Sequence, residues 1–238
     1  AFYIARSGRP GPVLVDITKN AQFDELDFSY TKCKGVRSYF PKPVLDHQKV
    51  AEAAALINGA KKPYIVFGQG VILGQAEELL KAVIEKTGIP AAWTILGLSA
   101  LPSDHPLNVG MLGMHGNYGP NILTNECDVL IAIGMRFDDR VTGNLATYAK
   151  QAKVIHFEID PAEVDKNVKT DVAVLGDVKE SLAALLPLVE AKSHEAWHNE
   201  FKEKYKIELE SVINDELNPK GEGISMGETI EMINKHSN

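Results

Sequence analysis

Apolar positions between residues 44 and 190 follow two patterns that alternate along the chain. Short, nearly continuous apolar runs predict buried strands within 63–70, 89–96, 129–135, 153–160 and 172–177. Helical spacing predicts a first helix with Asp46 as N-cap and Gly59 after its end, and further helices within 73–88, 121–128, 161–171 (a short turn) and 178–191. Strands that are apolar throughout and separated by helices are typical of a parallel sheet covered on both faces. The pattern therefore predicts a doubly wound, mainly parallel, Rossmann-like α/β domain over residues 44–190.

The segments on either side of this domain have other patterns. "PVLVDI" at 12–17 predicts a strand after a Gly/Pro turn, so residues 1–22 are interpreted as the end of a preceding domain. Residues 23–43 are mixed and aromatic without a clean period, and they are interpreted as a linker. Residues 191–238 are predicted to form a polar helical connector and the first helix of a further domain. Because the chain also begins without methionine, we expect it to be a piece of a longer protein.

Composition argues against several classes of partner. The chain has a net charge of −7 and scattered Lys and Arg, which disfavours nucleic acid as a partner. Its apolar runs are too short for a membrane helix. Cys33 and Cys127 are too few for a disulfide framework or a zinc site, so we expect no metal site and a reducing, cytoplasmic setting.

Residues that follow the predicted strands are the candidates for a ligand site, because open parallel sheets bind ligands beyond the carboxyl ends of their strands. Glycine at three of the five ends would let the backbone approach a flat or phosphorylated group. Arg136 and Arg140 could hold phosphate or carboxylate, and Asp138 and Asp139 could accept from hydroxyls or orient the arginines. Glu158 could bond ribose-type hydroxyls. The candidates are Gly68, Gln69, Gly70, Thr94, Ile95, Leu96, residues 134–141, Glu158, Ile159, Gly176 and Asp177.

Each candidate also has a plainer interpretation. "RFDDR" at 136–140 could be a solvated loop whose charges neutralise one another, and His115 could be a loop histidine. Met111 and Met114 could fill the core, and Glu158 could cap the segment that follows it. Their coincidence at one sheet edge favours a ligand site. The sequence has no GxSxG, HExxH or P-loop motif, so these residues predict a domain that binds a ligand without transforming it alone.

Four stretches carry a resemblance to a known family. "SGRPGPVLVDITKNAQ", "GMLGMHGNYGPNI", "IAIGMRFDDRVTGN" and "KVIHFEIDPAEVDKN" resemble the large catalytic subunit of acetolactate synthase (acetohydroxyacid synthase), a thiamine diphosphate enzyme of branched-chain amino acid biosynthesis. The likeness runs from the first residue to about Val189. It implies that residues 1–22 end the pyrimidine-binding domain, that 44–190 form the central domain, and that 191–238 lead into the diphosphate-binding domain.

The resemblance implies a cofactor and a substrate entrance for the central domain. The cofactor is FAD, which does no net redox chemistry in this family. Met114, Asp139 and Arg140 match the substrate entrance, with Arg140 holding the carboxylate of a 2-ketoacid. Gln69 stands where the family often has a small residue, and "YFPKPVLDHQ" lacks the arginine expected before the first central helix. The matching FAD positions are Gly68, Gln69, Gly70, Thr94, Ile95, Leu96, Leu112, Gly113, Met114, His115, Gly134, Met135, Arg136, Asp138, Arg140, Val141, Glu158, Ile159, Gly176, Asp177 and Val178.

For the parent enzyme the resemblance implies decarboxylation of pyruvate and ligation of the two-carbon unit to a second 2-ketoacid, with thiamine diphosphate and Mg²⁺ bound mainly by other domains. It implies a homo-oligomer, a regulatory small subunit in some cases, a bacterial cytoplasm or a plant plastid, and no catalytic residue or activity in this chain alone. Two alternatives stay open: the central domain of another thiamine diphosphate carboligase, decarboxylase or oxidase, and a stand-alone nucleotide-binding regulatory domain.

Overall fold

The computed structural model describes residues 1–218, 221 and 223–237, and within them a six-stranded parallel sheet carries helices on both faces. The strands are β1 Pro63–Phe67, β2 Ala91–Trp93, β3 Asn108–Met111, β4 Val129–Ile133, β5 Lys153–Glu158 and β6 Val172–Leu175. Their order across the sheet is β3-β2-β1-β4-β5-β6. This confirms the predicted doubly wound α/β fold, and the order is that of a dinucleotide-binding sheet.

The helices of the described residues are α1 Phe2–Ala5, α2 His47–Gly59, α3 Gln69–Leu73, α4 Glu77–Thr87, α5 Tyr118–Leu123, α6 Asp139–Thr142, α7 Val178–Leu185, α8 Glu195–Glu208, α9 Asn214–Leu217 and α10 Met226–His236. Short 3₁₀ turns cover Ile95–Gly97 and Pro161–Glu163, and a π-helical turn covers Leu209–Ile213. Within the part of the chain that the structure describes, no helix combines the length and apolarity needed to cross a membrane. Residues 219, 220, 222 and 238 of the predicted C-terminal segment lie outside that part.

The core has two halves because side chains alternate along each strand. Ile65, Ile131 and Ile155 face one half, which α2, α4 and α7 cover. Leu130 and Val154 face the other half, which α5 and α8 cover. Both halves are apolar, so the central strands β1 and β4 are continuous apolar runs in the sequence.

Several predicted boundaries hold and their local causes are visible. Asp46 caps α2 by accepting from the backbone N–H of Gln48 at 2.9 Å, as predicted. Helix α2 extends through Gly59, one residue further than expected. Helix α7 stops at Leu185, because Pro187 cannot continue a helix.

Other predicted elements were wrong. Residues 12–17 form no strand, because no strand of the described chain pairs with them, and most of their side chains are exposed. The helix expected within 73–88 divides into α3 and α4, because Gly74 ends the first and Gln75 takes a left-handed φ of 52°. Helix α5 lies at Tyr118–Leu123, since Pro120 suits its first turn. The predictions omitted β3, a four-residue edge strand, and the single-turn helices α1 and α6.

Candidate ligand-binding groove

The floor of the site lies where β1 and β4 pair and the strand order reverses. Gly68 follows β1, Gly134 follows β4, and the Gly70 N–H donates to the Gly134 carbonyl at 2.9 Å. A Cβ on Gly70 would lie 2.7 Å from the Gly134 Cα, and Gly134 has a φ of +58°. These glycines were predicted to let the backbone approach a ligand. In the structure they let the two turns approach one another.

A groove of about 980 Å³ opens above this floor, at the carboxyl ends of the strands. Most of the residues predicted from the strand ends and from the resemblance line it. They are Gln69, Gly70, Thr94, Ile95, Leu96, Gly134, Met135, Arg136, Asp138, Arg140, Val141, Glu158, Ile159, Gly176, Asp177 and Val178. Residues 136–140 are called the charged loop, and both of its arginines, Arg136 and Arg140, line this one groove.

The other predicted residues lie beside the groove. Gly68 lies under the floor, where a Cβ would be 2.6 Å from that of Met135. Leu112, Gly113, Met114 and His115 form a turn behind α6, and the Met114 N–H donates to the Arg140 carbonyl at 2.8 Å. Asp139 is exposed, and its carboxylate accepts from the Arg140 N–H at 3.0 Å. The turn and Asp139 thus support Arg140 from outside the groove.

The charged loop combines an internal ion pair with Arg140, which forms no ion pair within the described residues. Arg136 Nη2 lies 2.6 Å from Asp138 Oδ2, so part of the loop does neutralise itself. The Arg140 guanidinium lies 3.5 Å from the Met114 sulfur and is exposed. Met114 is 58% exposed, which excludes the core-filling interpretation for that methionine. Arg140, which lines the groove, and the exposed Met114 beside it are called the rim.

Glu158 is a nearly buried carboxylate at the end of β5. Its Oε1 accepts from the backbone N–H groups of Ile159 at 2.9 Å and Asp160 at 3.2 Å. Asp160, and not Glu158, caps the following 3₁₀ turn by accepting from the Ala162 N–H. Glu158 is only 8% exposed and still lines the groove, so a hydroxyl donor on a ligand could reach it.

One wall of the groove comes from segments that sequence reasoning assigned elsewhere. Residues 6–10 and 41–42 line the groove, although they were predicted to belong to a preceding domain and a linker. Arg9 Nη1 lies 2.6 Å from Glu163 Oε1 and 3.0 Å from Asp160 Oδ2. Lys42 Nζ lies 2.6 Å from Asp177 Oδ2. We call residues 6–10 and 41–42 the N-terminal wall.

The N-terminal wall brings an arginine, Arg9, into the groove. It lies upstream of "YFPKPVLDHQ", the segment where the resemblance implies an arginine and this chain has none. The available signal was the "SGRPGP" stretch, to which no role was given. Other missed lining residues are Leu73, Gly74, Gln75, Phe157, Lys179 and Glu180.

The wall is attached by charged groups whose pKa values are shifted. Burial alone would raise the pKa of Asp177, but the hydrogen bond and charge of Lys42 and the N–H groups of α7 lower it below its usual value. Burial would likewise raise the pKa of Glu163, and Arg9 and Lys166 bring it below its usual value. Both carboxylates are therefore held ionised, and the wall is bound electrostatically.

Comparison with known proteins agrees with this geometry. Residues 50–185 match the family model described as "Thiamine pyrophosphate enzyme, central domain". The chain is 43% identical over 216 residues to the probable acetolactate synthase large subunit of Methanocaldococcus jannaschii, covering 88% of the chain and 36% of that protein. It is 45% identical over 195 residues to the acetolactate synthase large subunit of Corynebacterium glutamicum, covering 82% and 31%.

A third relative gives the same picture. The chain is 41% identical over 198 residues to the acetolactate synthase isozyme 1 large subunit of Escherichia coli, covering 83% of the chain and 34% of that protein. The chain thus spans about a third of the length of the curated relatives it matches. With the doubly wound sheet and the family match over residues 50–185, the chain belongs to the thiamine pyrophosphate enzymes, through their central domain, among relatives named as acetolactate synthase large subunits.

Proposed function

We propose that the chain is the central part of an acetolactate synthase large subunit and that its groove binds FAD. The observation that carries the proposal is that Arg136 and Arg140 line one groove with the turns after β1 and β4. The names of the relatives support the enzyme, and the strand order supports a dinucleotide.

The residues of the groove fit a flavin dinucleotide. A volume of about 980 Å³ is large enough for a cofactor of this size. Ile95 and Leu96 line the groove with 67% and 60% of their surfaces exposed, so they offer an apolar platform for a flat ring. Arg136, Arg9 and Glu158 line the groove. The two arginines would bind the pyrophosphate, and Glu158 would accept from ribose hydroxyls.

Bound FAD would supply a flat ring system that fills the groove and, as the family resemblance implies, no net redox chemistry. The groove residues would bind it through charge and shape. Exposed Ile95 and Leu96 would lose their contact with water, which stabilises the complex. Arg136 would exchange part of its bond with Asp138 for one with the ligand.

At the rim, we propose that Met114, Asp139 and Arg140 form the substrate entrance. Arg140 has an exposed guanidinium, and its own backbone is held by the Met114 N–H and by the Asp139 carboxylate. A planar guanidinium can hold a carboxylate through two hydrogen bonds, which suits a 2-ketoacid. The Arg140 side chain would orient the acid, while Met114 would keep water from it.

For the whole protein we propose decarboxylation of pyruvate and ligation to a second 2-ketoacid, with thiamine diphosphate and Mg²⁺ held by other domains. Residues 1–22 and 191–238 would belong to those domains or to their connections, and the isolated chain would be inactive. A homo-oligomer, a regulatory small subunit and a cytoplasmic site in a bacterial source remain part of this proposal.

Titration of the chain with FAD tests the cofactor. Flavin fluorescence and the thermal unfolding midpoint should both change saturably with FAD. Arg136→Ala should weaken binding about tenfold or more, because a hydrogen bond to a charged group is lost. Arg37→Ala, on an exposed turn that does not line the groove, is the matched control. An unaltered chain that leaves fluorescence and midpoint unchanged at high FAD would overturn the proposal.

The entrance is tested in the full-length parent enzyme. Arg140→Lys keeps the charge but loses the planar pair of donors, so kcat/KM for pyruvate should fall about tenfold or more. FAD affinity should fall much less than in Arg136→Ala. Unchanged kcat/KM would remove Arg140 from the substrate site.

A further inference from the structure

Two side chains outside the groove lining, His156 and Asn167, donate hydrogen bonds to the backbone of the charged loop and of Met135 before it. His156 Nε2 lies 2.8 Å from the Met135 carbonyl oxygen. Asn167 Nδ2 donates to the Phe137 carbonyl oxygen at 2.7 Å. Both residues lie in the "KVIHFEIDPAEVDKN" stretch, of which the groove uses other positions. The two bonds therefore fix the peptide groups on either side of the Arg136–Phe137 pair.

His156 occupies a space that the sheet leaves for it. Its side chain is fully buried, and its partners on the neighbouring strands are Ala132 and Ala173, whose small side chains make room for an imidazole. Phe137 packs against the ring edge to face, with centroids 5.0 Å apart. A buried histidine in a sheet core must satisfy its N–H, and the Met135 carbonyl is the acceptor.

The bond to Met135 fixes the tautomer of His156. A carbonyl accepts only, so Nε2 carries the hydrogen, and Nδ1 has no partner among the described residues. The Glu158 carboxylate oxygen is 3.6 Å from Nε2, beyond hydrogen-bond distance. The imidazole is thus committed to the loop and not to Glu158.

Planar trans peptides carry the effect into the groove. The N–H of a trans peptide points opposite to its carbonyl. Since the Met135 and Phe137 carbonyls point at His156 and Asn167, the N–H groups of Arg136 and Asp138 point the other way. Neither N–H finds an acceptor within the described part of the chain. They are left as two donors beside the Arg136 and Asp138 side chains, which line the groove.

We propose that His156 and Asn167 are positioning residues that hold residues 135–138 in the conformation that receives the anionic part of the groove's ligand. The inference rests on the proposed binding of FAD only for its affinity test. Without ligand, the two residues order the loop.

The experiment compares four variants of the chain. Asn167→Ala removes one donor from an exposed residue, so the fold should survive. His156→Leu removes the other donor, and His156→Gln keeps an amide donor near the Nε2 position. Asn199→Ala, an exposed asparagine on α8 outside the groove, is the matched control.

Without ligand, NMR order parameters of the amides at 136–138 should fall from about 0.85 towards 0.6 in Asn167→Ala and His156→Leu, and remain high in the control. Ring ¹⁵N spectra should locate the His156 hydrogen on Nε2. In FAD titrations, each of the two variants should bind about fivefold more weakly, since one hydrogen bond is lost, and His156→Gln should recover part of this.

The two proposals fail separately. If the order parameters at 136–138 in Asn167→Ala and His156→Leu equal those of the control, the positioning role is overturned, whatever the FAD titration shows. An unaltered chain with an ordered loop and no FAD binding overturns the cofactor instead. Should His156→Leu not fold, Asn167→Ala and His156→Gln still decide the matter.

Discussion

At the scale of single residues, the groove is lined by side chains that are close in space and far apart in the chain. Gln69 and Arg136 follow β1 and β4, and Glu158 ends β5. Arg9 joins the same groove by bonding to Glu163, more than a hundred residues away.

The glycine at the end of β4 is the residue on which the floor depends most. A side chain at Gly134 would need a left-handed φ of +58° and would lie 2.9 Å from the Gly70 backbone. We expect Gly134→Ala to lower the free energy of unfolding by about 2 kcal/mol or more, from backbone strain and overlap.

Urea denaturation measures this effect against a matched glycine. Gly59→Ala places a methyl group in open space on α2 and should be neutral or stabilising by up to about 1 kcal/mol. Equal stabilities for the two variants would mean that the turns after β1 and β4 are free to separate.

The sequence predicted the groove residues that lie at the ends of apolar strands. Arg136, Glu158 and Gln69 lie at the ends of apolar runs that are plain in the sequence, so their place at one sheet edge could be inferred. Arg9 could not be inferred, because no local pattern encodes its contact with Glu163.

At the scale of elements, the apolar content of a strand decided what could be foreseen. Strands β1 and β4 are buried throughout and β5 is buried after Lys153, and all three were predicted. Strand β3 has four half-buried residues, including Asn108 and Gly110, and gave no apolar run. The predicted strand at 12–17 has apolar residues but no neighbour in the described chain, and apolar sequence alone cannot supply pairing.

Helix α7 and the N-terminal wall share one carboxylate, Asp177. It accepts from the backbone N–H groups of Lys179 and Glu180 and pairs with Lys42. Because its pKa is lowered in the folded chain, the unfolded chain binds the proton more tightly. Its contribution is therefore present above the ordinary Asp value of about 3.9 and is lost as pH falls through the lower folded pKa.

Asp177→Asn keeps a capping oxygen and removes the charge. We expect the unfolding free energy of this variant to fall less steeply between about pH 5 and pH 2, a range that spans the ordinary Asp pKa, than that of the unaltered chain. Urea denaturation at each pH measures this free energy. Asp215→Asn on α9 is the control for a lost negative charge. Identical pH profiles for Asp177→Asn and the unaltered chain would contradict the linkage.

At the scale of the whole molecule, the sheet is one body and the N-terminal wall is an attached part. Tyr39 donates to the Ser7 carbonyl at 2.9 Å, so residues 6–10 and 41–42 form a unit of their own. That unit meets the α/β domain through Arg9 and Lys42, whose side chains are 38% and 56% exposed and bind less exposed carboxylates. Because the cations remain in contact with water, we expect each pair to contribute about 0.2–1 kcal/mol, as exposed ion pairs do, and to weaken with salt.

Arg9→Ala should therefore loosen the wall without unfolding the domain. We expect trypsin to cut after Arg6 several times faster in this variant. The free energy of unfolding of the domain, measured in urea, should change by no more than about 1 kcal/mol. Raising the salt concentration should accelerate the same cut in the unaltered chain. The control variant Arg37→Ala should be cut after Arg6 at the rate of the unaltered chain. A rate of cleavage after Arg6 that changes neither in Arg9→Ala nor with salt would show that other contacts hold the wall.

The close contact between Gly70 and Gly134 divides the groove into a part that tolerates change and a part that does not. The floor of the groove is formed by backbone, so a side chain introduced at either glycine would push the turns after β1 and β4 apart. Its sides are side chains such as Gln69, Thr94 and Lys42, which can be exchanged while the sheet stays closed. A laboratory that seeks an altered ligand preference should therefore randomise these side chains and leave the two glycines unchanged.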